Sequence, residues 1–424
     1  MIYLYLGSLA IALITLWILN HDIASPVIVS GIIWFGLYAL LLFTDERKLV
    51  EDYHFSYFLI AYFSFLIGFT LVCNKYVISF QYENEDITYN SFLYLLFTLI
   101  CYICGAIIIL SARGIGGSGF SLWAAFRGSE QMISLSNGIL APLVNFIQVF
   151  FLSLFAISLY NTTSKNIIRW IVLLPPLITE MLLESRGTWF FLLISILFEI
   201  IYIKRFRSKK IIGLGLLLVL LVALIFIYSS LSKFSNAWTQ MSNEDKIRNL
   251  FLVYFVSPSI SFVELMDRGV EFQFGTHIFR FFFAVAHSFN PSIEVVDTVQ
   301  DFISTDTFSS NVYTAIHWYY VDFGLPGIIA VELILGIVYA LLYKRVISGV
   351  KIDISNLMFS TILLSMLMYP IINQFFDEKL FSILSIWIQR VIWLFIFTRK
   401  GFTIKESSED RRIMIKMGEK KLEI

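Results

Sequence analysis

The chain has 424 residues, of which 58% are hydrophobic, 17% aromatic and only 15% charged, and its mean hydropathy is +0.79. This composition excludes a soluble domain, which cannot bury so much apolar surface, and predicts a polytopic membrane protein. The formal net charge is zero, so no overall basic field indicates nucleic acid as a partner.

Apolar runs long enough to cross a hydrocarbon core of about 30 Å follow one another along the chain. They cover residues 2–19, 26–43, 55–73, 91–110, 137–160, 167–183, 187–203, 211–228, 324–343, 355–372 and 380–398. We predict one all-α integral membrane domain over residues 1–424, a bundle of about eleven (about ten to twelve) transmembrane helices. Pro175 and Pro176 predict a kink in the sixth run.

One long segment, residues 229–323, has no such run. It ends in a polar and aromatic block, Asn311 to Gly324, and three of the five histidines lie in it. We predict an extracytoplasmic loop that carries short amphipathic helices.

Lysine and arginine in short loops set the orientation of the spans. They cluster at 204–210, at 344–351 and in the tail 399–424, three sites that alternate correctly as cytoplasmic. The same alternation places the segment 229–323, the turn at Ser185–Gly187 and the loop 111–136 outside.

Arg186 lies at the outer end of a hairpin between two apolar runs, where an unpaired charge costs about 2.5–3.5 kcal/mol. One interpretation is an internal ion pair with Glu180 or Glu184. The other is an anion site, since a guanidinium binds phosphate bidentately at any pH.

The long segment contains two groups of residues at helical spacing. If 274–289 is helical, His277, Arg280 and His287 share one face and Phe281, Phe282 and Val285 form an apolar face. That helix either presents its basic face to a cavity or extends its arginine to lipid headgroups. Tyr313, His317 and Tyr320 recur at helical spacing ahead of Asp322, and an imidazole there is suited to accept a proton from a sugar hydroxyl or to pair with phosphate.

The block Asn311-Val-Tyr-Thr to Asp322-Phe-Gly324, the Ser185-Arg186-Gly187 hairpin and the long late loop resemble the Wzy-type O-antigen polymerases, which polymerise oligosaccharide repeat units. The ten residues between Arg127 and Gly138 are similar to Arg-then-Gly patterns of their outer loops. Where many members of that family have an arginine after the Asn-Val-Tyr-Thr segment, this chain has His317.

The resemblance implies transfer of an undecaprenyl-diphosphate-linked glycan onto the terminal sugar hydroxyl of a lipid-linked repeat unit, at the outer face of the cytoplasmic membrane. It implies the lipid-linked oligosaccharide and membrane lipids as partners, with a chain-length regulator and a flippase of the same pathway. No cofactor and no metal are expected.

On this hypothesis arginines at helix ends hold the diphosphate and one base activates the acceptor hydroxyl. The diphosphate-binding candidates are Arg186, Arg127, Arg280 and Arg268. His317 is the preferred base, oriented by Asp322 or Tyr313, and the reserve candidates are His287, Glu184 and Tyr320.

Two alternatives stay open. An O-antigen ligase uses the same donor with a lipid A core acceptor, and a lipid-linked oligosaccharide flippase or transporter also needs many helices and buried charges. The clustering of charges in one loop, together with the lack of a repeated half, favours an enzyme over a transporter.

Overall fold

The computed structural model describes residues 2–20, 23–51, 53–73, 86–116, 140–160, 164–183, 186–204, 213, 215, 217, 242–297, 302–304, 309–348, 354–400 and 402–405. The longer helices of this part of the chain are α1 (Ile2–Asn20), α2 (Pro26–Leu42), α3 (His54–Val72), α4 (Ser91–Gly116), α5 (Ala141–Tyr160), α6 (Ser164–Ile171), α7 (Leu174–Leu183), α8 (Arg186–Lys204), α9 (Asn243–Phe251), α10 (Ser257–Arg268), α11 (Arg280–Phe289), α12 (Ile316–Ser348), α13 (Ile354–Asn373) and α14 (Leu384–Lys400). A 3-10 turn, Asp45–Leu49, precedes α3, and a π-helical turn, Leu252–Val256, joins α9 to α10.

Four short strands accompany the helices: β1 (Asp86–Tyr89), β2 (Ile303–Ser304), β3 (Ser309–Ser310) and β4 (Phe402–Lys405). β1 pairs antiparallel with β4, and β2 pairs antiparallel with β3. The β1–β4 pair joins the segment before α4 to the start of the charged tail, so these two segments lie on the same side of the membrane.

The chain is a helical membrane protein, as its composition predicts. Seven helices of the described part are long and apolar enough to cross a membrane: His54–Val72, Ser91–Leu110, Ala141–Tyr160, Gly187–Lys204, Glu244–Arg268, Ile316–Ile347 and Ile354–Asn373. The predicted count of about eleven spans is therefore not confirmed. Most of the predicted span 211–228 lies outside the described residues.

The segment 229–323 is not wholly the loop that the sequence predicts. It contains Glu244–Arg268, one of the seven helical stretches with the length and hydropathy of a span. Three charged residues at the start of α9 lower the local hydropathy, which explains why the apolar-run criterion passed over it. The predicted kink in the sixth run is a full interruption between α6 and α7, just before Pro175, because proline has no backbone N–H to continue the helix.

The described residues group into two compact units. The first contains residues 1–78, 185–347 and 363–389, and the second contains 79–184, 348–362 and 390–424. Helices α13 and α14 contribute residues to both units.

Close backbone contact joins α3 to α12 in the first unit. A Cβ added at Gly68 would overlap the carbonyl of Leu333, and one added at Gly336 would overlap that of Phe65. Small residues that let helix backbones approach are typical of packing in membranes, where apolar burial does not drive helices together.

A polar contact ties the start of α3 to the end of α10. His54 Nε2 lies 3.0 Å from Asp267 Oδ1, and the Tyr53 hydroxyl donates to the same oxygen. His54 Nδ1 accepts the backbone N–H of Glu51 at 3.1 Å, so Nε2 carries the proton that it donates to Asp267.

The second unit holds a buried arginine, Arg390 on α14. Its Nε donates to Asn145 Oδ1 at 3.1 Å and its Nη2 donates to Gln148 Oε1 at 2.9 Å, both on α5. These bonds connect α14 to α5 and give Arg390 a role in helix packing.

Candidate functional site

A break in α12 at Gly324 creates the site. Gly324 has φ 64° and ψ −152°, a backbone conformation essentially restricted to glycine, so residues 316–323 form a short helical segment separate from the rest of α12. The break exposes the last carbonyls of that segment. The backbone N–H groups of Gln273 and Phe274 cap them, donating at 3.0 Å to Val321 and Asp322.

This cap places His277 against Asp322. His277 Nδ1 lies 2.9 Å from Asp322 Oδ1, and the backbone N–H of Ile278 donates to Oδ2 at 2.8 Å. The backbone N–H of His277 lies 3.2 Å from both carboxylate oxygens. Asp322 is 0% exposed, and these donors offset the loss of its hydration.

The contact fixes the tautomer of His277. A carboxylate only accepts hydrogen bonds, so the ring proton is on Nδ1 and Nε2 keeps its lone pair. None of the hydrogen bonds within the described ranges engages Nε2. An imidazole held in this way by a buried carboxylate is oriented as a general base.

The rings of His317 and Trp318 pack beside His277, and we call these two residues the floor of the candidate site. The centroid of the His277 ring is 4.9 Å from that of Trp318 and 6.3 Å from that of His317. The Tyr313 ring lies 4.7 Å from the His317 ring, and His317 is 2% exposed.

Three polar atoms on this floor are buried. Thr314 Oγ1, His317 Nδ1 and Trp318 Nε1 have no hydrogen-bond partner in the part of the chain that the structure describes. Because unpaired buried polar groups are costly, these atoms are suited to bond a buried water molecule.

The loop between α13 and α14 supports the start of α12. The Ala315 N–H donates to the Gln374 carbonyl at 2.6 Å, and the Tyr319 ring packs on Phe381. Glu378 in this loop is buried and accepts the backbone N–H groups of Leu380 at 2.8 Å and Ser382 at 2.6 Å. Burial raises the pKa of the Glu378 carboxyl above its usual value.

The three predicted catalytic residues, His317, Asp322 and Tyr313, lie in this region, but Asp322 orients His277 and not the predicted His317. Asp322 bonds His277 directly, Tyr313 packs on His317, and both histidines lie side by side. Tyr313 precedes α12 rather than lying on its face, because the helix begins at Ile316.

Two reserve candidates lie apart from His277. Tyr320 packs on Tyr57 and Phe262, at 5.7 and 5.6 Å. His287 is exposed on α11, with Nδ1 at 2.6 Å from the Ile293 carbonyl.

The helix predicted over 274–289 is shorter than expected. It begins at Arg280, and residues 274–279 form turns, so His277 does not share a helical face with Arg280 and His287. Phe274 and Gly275 both have positive φ, which excludes an α-helix across these two positions. The sequence contains one signal for this turn, Gly275, which lies two positions before His277.

The proposed diphosphate ligands are only partly described. Arg127 lies outside the described residues, as do the side chain of Arg186 and the reserve candidate Glu184. Arg280 Nε donates to the Val296 carbonyl at 2.8 Å, and Arg268 Nε pairs with Glu264 at 3.0 Å on an exposed face of α10. These contacts do not bring Arg268 and Arg280 together.

One strained residue borders the site. Phe274 has φ 49°, and it is the only non-glycine residue with positive φ among those described. A left-handed conformation costs a residue with a Cβ about 1–2 kcal/mol. Its ring is 78% exposed, so burial of the ring does not offset this cost.

Comparison with known proteins gives no relative for this chain: no family model, curated protein or solved structure matches it.

Proposed function

We propose that this chain is a membrane glycosyltransferase that polymerises lipid-linked repeat units. It transfers an undecaprenyl-diphosphate-linked glycan onto the terminal sugar hydroxyl of a fresh lipid-linked unit, at the outer face of the cytoplasmic membrane. The observation that carries the proposal is the contact between His277 and buried Asp322, which orients an imidazole with a free lone pair at a helix break.

The chemistry needs one base. His277 Nε2 removes the proton of the acceptor hydroxyl while its oxygen attacks the anomeric carbon of the donor. The bond from that carbon to the diphosphate oxygen breaks, and the diphosphate leaves with the electron pair. Asp322 stabilises the imidazolium that forms, and the proton then passes to solvent.

The contacts favour His277 over His317 as this base. Both rings are buried, His317 at 2% and His277 at 7% exposure, but only His277 is oriented by a carboxylate. We assign the floor, His317 and Trp318, and the Tyr313 ring that packs on it to the side of the site that holds the acceptor sugar. Since a diphosphate leaves readily, no general acid is required.

Positive side chains are proposed to bind the leaving diphosphate. Arg186, Arg127 and Arg280 are the candidates, with Arg268 as a weaker one because it already pairs with Glu264. An arginine that grips the diphosphate stabilises the charge that develops as the bond breaks.

A deletion strain separates this function from its alternatives. If the chain is a polymerase, the strain loses polymer while single repeat units still cap the lipid A core. Accumulation of free lipid-linked polymer would instead assign a ligase. Loss of all capping, with repeat units confined to the inner face, would assign a flippase.

A further inference from the structure

The strained conformation of Phe274 needs an explanation that the described residues do not supply. Glycine or asparagine fits a left-handed position at lower cost, yet the chain has a large aromatic residue there. The ring makes no aromatic contact within the described ranges and is 78% exposed. Strain of this kind is concentrated at functional sites.

Phe274 is directly linked to the candidate site. Its backbone N–H donates at 3.0 Å to the carbonyl of Asp322, the residue whose carboxylate holds His277. Gly275, which also has positive φ, follows it and leads into His277. One turn therefore positions both the exposed ring and the proposed base.

Exposed polar side chains lie beside Phe274 together with the half-exposed ring of Phe272, which indicates a position at the boundary with water. Glu271 and Gln273 are exposed, and the Gln273 side chain accepts a hydrogen bond from Thr276 at 3.1 Å. Hydrocarbon offers such groups no further hydrogen-bond partners. A ligand that is apolar on one face and polar at its edge therefore fits this turn better than a lipid chain does.

We infer that Phe274 is a stacking platform for a sugar of the glycan, beside His277. A pyranose ring has an apolar C–H face that fits an aromatic face, while its hydroxyl groups suit planar polar side chains such as those of Gln273 and Glu271. This inference rests on the proposed function and adds a glycan-binding residue to it.

The first test measures sugar binding without catalysis. Saturation-transfer NMR is recorded on the full-length protein in detergent with glucose, galactose, mannose, N-acetylglucosamine and N-acetylgalactosamine as probes. We expect transfer to at least one sugar in the wild type and in Phe274→Trp, and a signal about five-fold weaker in Phe274→Leu. Phe289→Leu is the matched control, because Phe289 is 86% exposed at the end of a helix with ordinary backbone angles.

Three results would overturn the inference. The first is that no probe sugar receives saturation, the second is that Phe274→Leu binds as the wild type does, and the third is that Phe289→Leu loses as much signal as Phe274→Leu. If Phe274→Leu bound the sugars as well as the wild type does, position 274 would need only an apolar side chain, as a contact with lipid does.

A second variant excludes a merely structural role. Phe274→Gly relieves the strain, so we expect a higher melting temperature together with loss of sugar binding. A lower melting temperature would make the ring a structural element and would contradict the inference. Because these readouts do not require turnover, sugar binding by a protein that fails to polymerise would refute the proposed function and leave the platform intact.

Discussion

His277 Nδ1 lies 2.9 Å from Asp322 Oδ1, although 45 positions separate the two residues in the sequence. The contact depends on the turn at 273–278, whose backbone N–H groups bond the carbonyls and the carboxylate at the end of the short helical segment 316–323. The fold thus uses a helix break both to expose hydrogen-bond acceptors and to orient an imidazole.

Asp322→Asn should lower polymerisation strongly while leaving the fold largely in place. Asparagine occupies the same volume, but its amide no longer fixes the Nδ1–H tautomer. We expect a loss of about 100- to 10,000-fold in the rate of polymer formation in isolated membranes.

His287→Ala is the matched control for this change. It also removes an imidazole from the same segment, but an exposed one bonded to the nearby Ile293 carbonyl, so polymer formation should be unchanged. Equal losses in the two variants would mean that the effect is not specific to the His277–Asp322 pair.

Gly324→Ala should destabilise the protein and impair its activity. Its backbone angles suit glycine only, and an added Cβ would lie 3.0 Å from the ring of Phe272. We expect the free energy of unfolding to fall by about 1–3 kcal/mol, measured by thermal unfolding in detergent.

Gly36→Ala serves as the comparison for that measurement. Gly36 lies within α2, and apart from its chain neighbours and the nearby backbone of α2 no described atom is within 4 Å of a Cβ built there. Alanine should raise the free energy of unfolding by about 0.5–1 kcal/mol, because glycine is unfavourable inside a helix. A similar loss at both positions would contradict a special conformation at Gly324.

Gly68→Ala and Gly336→Ala test the contact between α3 and α12. Each methyl group would overlap a backbone carbonyl of the facing helix, so each change should lower the free energy of unfolding by about 1–3 kcal/mol. The double variant should lose less than the sum, because one separation of the helices accommodates both methyl groups. Gly7→Ala, which like Gly36→Ala adds its methyl group in open space within a helix, should raise the free energy of unfolding by about 0.5–1 kcal/mol. Additive losses at Gly68 and Gly336 would argue against a shared contact.

Glu378 gives the protein a pH dependence. Because burial raises its pKa in the folded state, its contribution to stability is fully present below the unfolded pKa of about 4.3 and is lost as the pH rises through the folded pKa. As the pH rises from about 4.3 through the raised pKa of Glu378, the melting temperature of the wild type should therefore fall more steeply than that of Glu378→Gln. Exposed Glu271→Gln should follow the wild type, and parallel curves for wild type and Glu378→Gln would refute the role of this carboxyl.

Several helices could be predicted from the sequence because hydrocarbon requires every backbone polar group to bond within its own helix. The apolar runs 26–43 and 355–372 correspond closely to α2 and α13. Glu244–Arg268 was missed because the charged start of α9 interrupts its hydropathy.

The candidate site was predicted less completely. Its second half, Tyr313 to Asp322, was found from the crowding of polar and aromatic residues before an apolar run. The pairing with His277 was not, because it depends on positive φ at Phe274 and on the break at Gly324, and helical spacing does not report backbone conformation.

Elongation of lipid-linked repeat units by the purified protein, without an energy source, tests the central claim most directly. The wild type should convert single units into a ladder of longer glycans. His277→Ala should leave single units although its melting temperature equals that of the wild type. A ladder of unchanged length and rate from His277→Ala would contradict the claim that the His277–Asp322 pair activates the acceptor hydroxyl.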